Sequence, residues 1–267
     1  MKARASILLV IAFVSTSCRA DTIDLEYRYD SAVEHLEYVL TARASAQWQI
    51  GEPGQGSYTV RFQVDEAIQP QEGGGAIVDV IMTPLEVEEN GLLPPGSEER
   101  RFQLELGPNG EKLNVLEVGG IAATDLDDDE LALIGTYRPP LPLDSVGLGD
   151  TWDARQQLSL ETVFQQIATT GVLEELRRNG DGNRVASLSY TGAGPVEQTL
   201  ALPHGNARLT GETSIAIDAD LDVDRGVLIR ATSTTTGTFD ARVIPEGEEA
   251  PIVGTLQLEL KLDIEEA

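Results

Sequence analysis

A chain of 267 residues with 45 acidic and 19 basic side chains carries a formal charge of −26, and such a surface repels phosphate backbones and anionic headgroups alike. Nucleic acid is therefore excluded as a partner, and so is purely electrostatic attachment to a membrane. The single cysteine rules out an internal disulfide, so the fold rests on an apolar core, which a chain this long can build as one large β domain or two smaller ones.

The first element is an export signal. Met1–Ala5 carries Lys2 and Arg4, Ile7–Val14 is unbroken apolar sequence, and small hydroxylated residues lead into Cys18. A charged start, an apolar stretch of about 7–15 residues and a small-residue exit describe a secretory signal. A membrane span needs roughly 20 apolar residues, so this stretch is too short to cross. Two cleavage sites compete. Ser15-Thr16-Ser17-Cys18 resembles a bacterial lipobox, whose cysteine becomes the acylated first residue of the mature chain, although Ser15 stands where that family has Leu, Val or Ile. Cleavage after Ala20 instead removes residues 1–20 and yields a soluble periplasmic or secreted protein. The place of the lone cysteine favours a leader of residues 1–17 and lipidation at Cys18. That resemblance implies several acyl chains, enough for stable anchoring, and Arg19 implies the outer membrane. Loss of Lys2 and Arg4 with the leader moves the formal charge from −26 to −28.

Beyond the leader the chain reads as β. From Tyr38 to Ile50, Tyr38, Leu40, Ala42, Ala44, Ala46, Trp48 and Ile50 alternate with a mostly polar set, which predicts a half-buried strand. Tyr58, Val60, Phe62 and Val64 repeat the pattern, and the intervening Gly51–Gly56 segment with Pro53 predicts a hairpin. Further strands are expected at Ala76–Met82, Arg101–Leu106 and Leu113–Val118. Leu126-Asp127-Asp128-Asp129-Glu130-Leu131 then places Asp127 as N-cap and Glu130 three residues on, a capping box for one short helix near 127–134. Tyr137-Arg138-Pro139-Pro140-Leu141-Pro142 divides the chain into an N-terminal half, 18–135, a proline-rich connector, 136–149, and a C-terminal half, 150–267, which form two domains or one. Strands resume at Trp152–Leu160, Gly171–Arg177, Val185–Tyr190, Leu209–Asp222, Val227–Ala241 and Ile252–Ile264. Turns at Pro108-Asn109-Gly110, Asn179–Gly182 and Asp224-Arg225-Gly226 make consecutive strands antiparallel neighbours.

Leu141-Pro142, Val146, Gly149-Asp150-Thr151-Trp152 and the strand–turn–strand Ile217…Asp224-Arg225-Gly226-Val227-Leu228 resemble a family of uncharacterised exported bacterial β proteins, many of them lipoproteins. The resemblance covers the second half of the chain and implies no activity. More loosely, the architecture is similar to lipoprotein-carrier folds, in which a curved antiparallel sheet wraps short helices around an apolar cavity.

Candidate chemistry is sparse. Asp218, Asp220, Asp222 and Asp224 invite a calcium site, but they alternate with Ile217, Ala219, Leu221 and Val223 along a strand. Carboxylates spaced by about 6.5–7 Å on a strand do not converge as calcium requires, so a solvated acidic face is expected. Asp125–Thr136 fails as an EF-hand loop, with Glu130 in place of glycine and Thr136 in place of Glu. His35 and His204 are expected in loops or at strand edges, and no G-x-S-x-G, H-E-x-x-H, P-loop or dinucleotide fingerprint occurs. Trp48, Tyr58, Phe62 and Trp152 lie on the apolar sides of their strands, as core or as the lining of a ligand cavity.

The expectation is a mainly β fold, as a large curved antiparallel sheet, a half-barrel or two packed sheets. The expected function is that of a non-catalytic cell-envelope lipoprotein tethered through Cys18, without cofactor or metal, that carries an apolar ligand or binds another envelope protein. A calcium-stabilised adhesive module and a hydrolase with an unrecognised carboxylate site are the alternatives.

Overall fold

Period-two alternation becomes strand throughout the computed structural model, which describes residues 22–30, 33–92, 94, 98–126, 137–160, 163–202, 205–245 and 250–267. The leader, Cys18, His204 and the expected helix at 127–134 lie outside these residues. Twelve strands follow in chain order: β1 His35–Trp48, β2 Gly54–Pro70, β3 Ala76–Asn90, β4 Arg100–Leu106, β5 Lys112–Val118, β6 Ile121–Ala122, β7 Thr151–Leu160, β8 Val163–Arg178, β9 Arg184–Leu202, β10 Gly205–Asp222, β11 Val227–Pro245 and β12 Ile252–Glu266. The described residues hold no α-helix, only a 3-10 turn over Ala123–Asp125.

Every expected strand is present, and several run further than local signals indicate. β9 continues through Gly192, Gly194 and Pro195, residues that read as breakers. Continuous pairing with β10 carries it through. Pro84 sits in β3 beside a register shift at Arg61/Phe62, the kind of irregularity where a sheet tolerates proline.

All twelve strands form one antiparallel sheet in the order β6-β5-β4-β3-β2-β1-β12-β11-β10-β9-β8-β7. The chain starts at the centre, meanders to one edge, crosses to the other and meanders back until β12 pairs with β1. The edges β6 and β7 do not pair, so the sheet is open.

Hydrogen bonds from two adjacent residues show how strongly it curls. The Tyr27 N–H donates to Pro108 O in the β4–β5 turn at 3.3 Å, and the Arg28 N–H to Gly226 O in the β10–β11 turn at 3.0 Å. Six strand spacings separate β4 from β10, roughly 29 Å along a flat sheet. One peptide unit spans that gap only if the sheet bends into a half-barrel. Both turns end in glycines with positive φ, and a Cβ at either would collide with this segment: Gly110 (+80°) with Tyr27 and Gly226 (+66°) with Arg28.

The core lies on the inner face. Even residues of β1, β2 and β3 point inward, as do odd residues of β10 and β11, so Tyr38, Val64, Val78, Ile217 and Phe239 are buried. Each tryptophan lies across its directly opposed glycine, Trp48 over Gly54 and Trp152 over Gly171.

Candidate functional site

The base of the half-barrel, where β1 begins and β12 ends, is stoppered by residues 22–30 and by residues 137–149 of the connector. They join through the Ile23–Val146 bridge. The connector places Pro140 O against the Tyr190 hydroxyl at 3.1 Å and Trp152 Nε1 at 3.4 Å, while Leu141 N–H donates to Asn109 O at 2.8 Å. Trp152, Pro140 and Leu141 therefore serve to seat the stopper. Asp150 accepts from the Gly147 N–H at 2.7 Å and so shapes the turn ahead of β7.

At the centre is a buried ion pair. Glu66 is 0% exposed and Arg138 3%. Arg138 Nη1 donates to Glu66 Oε1 at 2.9 Å, Nη2 donates to Oε2, and the Tyr137 hydroxyl donates to Oε1 as well. The guanidinium lies 5.8 Å from the Tyr27 ring centroid and 5.5 Å from that of Tyr137. Burial, the largest single influence, lowers the Arg138 pKa, but Glu66 together with Tyr137, Tyr29 and Tyr38 outweighs it and holds the guanidinium well above its ordinary value. Burial pushes the Tyr29 hydroxyl up to about 12 and those of Tyr27, Tyr38, Tyr137 and Tyr190 upward too. A charge pair so enclosed acts as a pin between connector and strand β2.

The aspartate comb corrects the expectation of a solvated face. Asp218 is exposed, but Asp220 and Asp222 are 5% and 1% exposed. A bulge at Asp220/Leu221 breaks the alternation there. Asp220 accepts from Arg177 at 2.9 Å, Arg230 at 2.7 Å and Ser187 at 2.6 Å. Asp222 accepts from Asn183 at 2.8 Å and from the Asp224 and Arg225 N–H groups. Arg184 holds Asp224, keeping its carboxyl below the ordinary aspartate pKa. These carboxylates lash the β10–β11 turn to β8 and β9. That turn in turn grips Arg28, through Gly226 O and through Asp224 O at 2.8 Å.

His35 opens the central strand β1 instead of sitting in a loop or at an edge, because its backbone pairs with Ala67. It is exposed, with Nε2 3.4 Å from Glu37 Oε1 and Asp65 nearby. On the outer face, a cleft of about 470 Å³ lies between Arg208, Arg242, Asp240 and Val253.

Away from the stopper the inner face has a different character. Leu256, Leu258, Leu260 and Leu262 of β12 point inward yet stay half-buried. Their neighbours are small: Ala46, Ala44 and Ala42 pair with the last three from β1, and Gly237, Thr235 and Ser233 from β11. The row is an apolar trough about 20 Å long. Tyr58 and Phe62 are buried core, while Trp48 and Trp152 are only partly covered.

Two features of this site escaped sequence reasoning for different reasons. Glu66 occupies the inward parity of β2, among Tyr58, Val60, Phe62, Val64 and Ile68, and a carboxylate on that parity was a legible signal. Arg138 carries no periodic signal at all.

No protein-family model matches the chain, and no curated protein matches it. Among solved structures it is similar to a lipovitellin chain, at 11% identity and a TM-score of 0.46. The match covers 88% of this chain and a quarter (25%) of that one. At that score the likeness assigns neither a fold family nor a ligand.

Proposed function

We propose that this protein is a non-catalytic carrier of an apolar ligand, exported and tethered to a bacterial envelope membrane through Cys18. The half-buried leucine row is the observation that carries this reading. Four inward leucines left partly wet, three of them beside small residues, are an apolar surface in want of a partner, and one chain-like ligand along them would remove it from water. The stopper supports the reading by closing the base while the trough stays accessible. Cys18 precedes Thr22 by four residues, at most about 14 Å of chain, so an anchor there sets the base near the bilayer. Leu143 and Leu148, 84% and 62% exposed, lie at that end.

Metabolic labelling with a fatty-acid analogue tests the tether. Wild type is expected to label and Cys18→Ala to lose the label; equal labelling of both defeats it.

Binding of a fluorescent fatty-acid analogue tests carriage. Leu258→Trp, which fills the trough, and Leu260→Asp, which charges it, are each expected to weaken binding at least tenfold, about 1.4 kcal/mol or more. A circular-dichroism spectrum of strand type confirms the fold of both variants. Wild type that retains no apolar probe, or variants that bind it unchanged, would refute the reading.

A further inference from the structure

Near the start of β1, where odd-numbered residues of β1 and β2 face outward, the sheet gathers three metal-ligating side chains. His35 and Glu37 stand two apart on β1, and Asp65 of β2 is the register partner of Glu37. His35 Nε2 lies 3.4 Å from Glu37 Oε1, and one donor atom from each of the three residues lies within 4.8 Å of the other two. Such a group carries no sequence signature, because only the pairing of β1 with β2 brings Asp65 beside the other two.

Charge sets the place apart. Like charges directly opposite each other on a sheet are destabilising. Elsewhere on the outer face carboxylates are matched by arginines, Asp263 by Arg43 and Glu197 by Arg208. Glu37 and Asp65 oppose each other with no arginine or lysine against them among the described residues. Asp65 accepts from Gln63 Nε2 at 3.3 Å, and Ala67 and Ile81 flank it along and across the sheet. Arg101, the register partner of Ile81, is held by Glu99 at 2.8 Å.

The donor set and its spacing select the cation. Zinc takes imidazole nitrogen and carboxylate oxygen at about 2.0–2.2 Å, so neighbouring corners of its tetrahedron lie about 3.3–3.6 Å apart. The 3.4 Å between His35 Nε2 and Glu37 Oε1 is such an edge, and it is longer than an ordinary N–H···O hydrogen bond of about 2.7–3.2 Å. Asp65 needs only a side-chain rotation to complete the face. Calcium and magnesium take oxygen ligands, whereas imidazole suits zinc. We propose that His35, Glu37 and Asp65 bind one zinc ion, with water in the fourth position. Leu36 pairs with Glu66, so the ion sits on the outer face of the same strands whose inner face holds the Glu66–Arg138 pin. It ties β1 to β2 from outside, as the pin ties the connector from inside. This site is independent of the carrier reading.

Calorimetric titration of the untagged protein with zinc chloride tests the site. Salt at about 0.15 M and excess calcium screen and occupy the general acidic surface, and Cys18→Ser throughout keeps the one thiol from competing. The parent protein is expected to bind one zinc ion per chain and to melt higher with zinc, because the ion binds the folded state. His35→Gln and Asp65→Asn are each expected to weaken binding by at least about tenfold, since loss of even an outer partner of a metal ligand costs that much. His204→Gln, which changes the other histidine, is expected to bind as the parent does. A circular-dichroism spectrum of strand type confirms that each variant folds. No saturable binding in the parent, binding that calcium displaces, or unchanged affinity in His35→Gln or Asp65→Asn overturns the assignment. The fatty-acid probe reads carriage separately, so either conclusion can fail without the other.

Discussion

Arg138→Met is expected to destabilise the fold by about 3–5 kcal/mol, because it strands the Glu66 carboxylate in a site with no access to water. For a chain of this size that corresponds to a fall in Tm of about 6–20 °C. Glu66 is 0% exposed and takes its hydrogen bonds from Arg138 and Tyr137, so no solvent route exists to compensate the loss. Pairing Arg138→Met with Glu66→Leu should recover most of the stability, since two apolar side chains replace two charges that had been desolvated together. Tyr29→Phe serves as the contrast. It removes a buried hydroxyl that has no hydrogen-bond partner among the described residues, so its cost is expected to be near zero. Urea titration of the four variants gives the coupling energy. If Arg138→Met and Tyr29→Phe shift the midpoint equally, the ion pair does not pin the connector.

Alkaline pH is expected to unfold the protein in one cooperative step between about pH 10 and 12. Burial raises the pKa of Tyr27, Tyr29, Tyr38, Tyr137 and Tyr190 above the ordinary value of 10.0, that of Tyr29 to about 12. Above pH 10 the unfolded chain gives up these protons and the folded chain keeps them. The unfolded state then binds fewer protons, so stability falls as pH rises. It is fully present below the unfolded pKa and lost on the way to the folded one. Each such group removes about 1.4 kcal/mol per pH unit, and five of them together approach the whole stability of an ordinary domain within a single unit. Tyrosinate absorbance and the far-ultraviolet strand signal should therefore change at the same pH. Absorbance that climbs smoothly through the ordinary tyrosine range while the strand signal stays intact contradicts the stopper as described.

Much of the fold was legible because strand alternation is local. Tyr38 through Trp48 and Tyr58 through Val64 show their inward sets at period two, and the register of β1 with β2 follows from the turn between them. The turn chemistry at Asn109-Gly110 and Asp224–Gly226 was equally plain. Local logic failed at Asp220 and Asp222, where a bulge turns an alternating strand into a buried latch, and at Gly192–Pro195, where pairing with β10 overrides residues that favour a break. Of the candidate site, the leucine row and Trp152 stood in the alternation. Arg138 did not, since the connector has no strand parity that marks a side chain as inward.

What the sequence determined by itself is the β class, the facing of each strand and the handful of sharp turns, all set by side-chain parity and by backbone conformations at a few residues. What only the tertiary structure decided is that the two meanders join as one open sheet through β1 and β12, where Arg43 meets Asp263 across a separation of 220 residues. It also decided that the connector folds inward, so that Arg138 finds Glu66 and the base closes while the leucine row does not. Those choices depend on curvature and on which buried charges meet, and both are properties of the assembled sheet that no local stretch of chain contains.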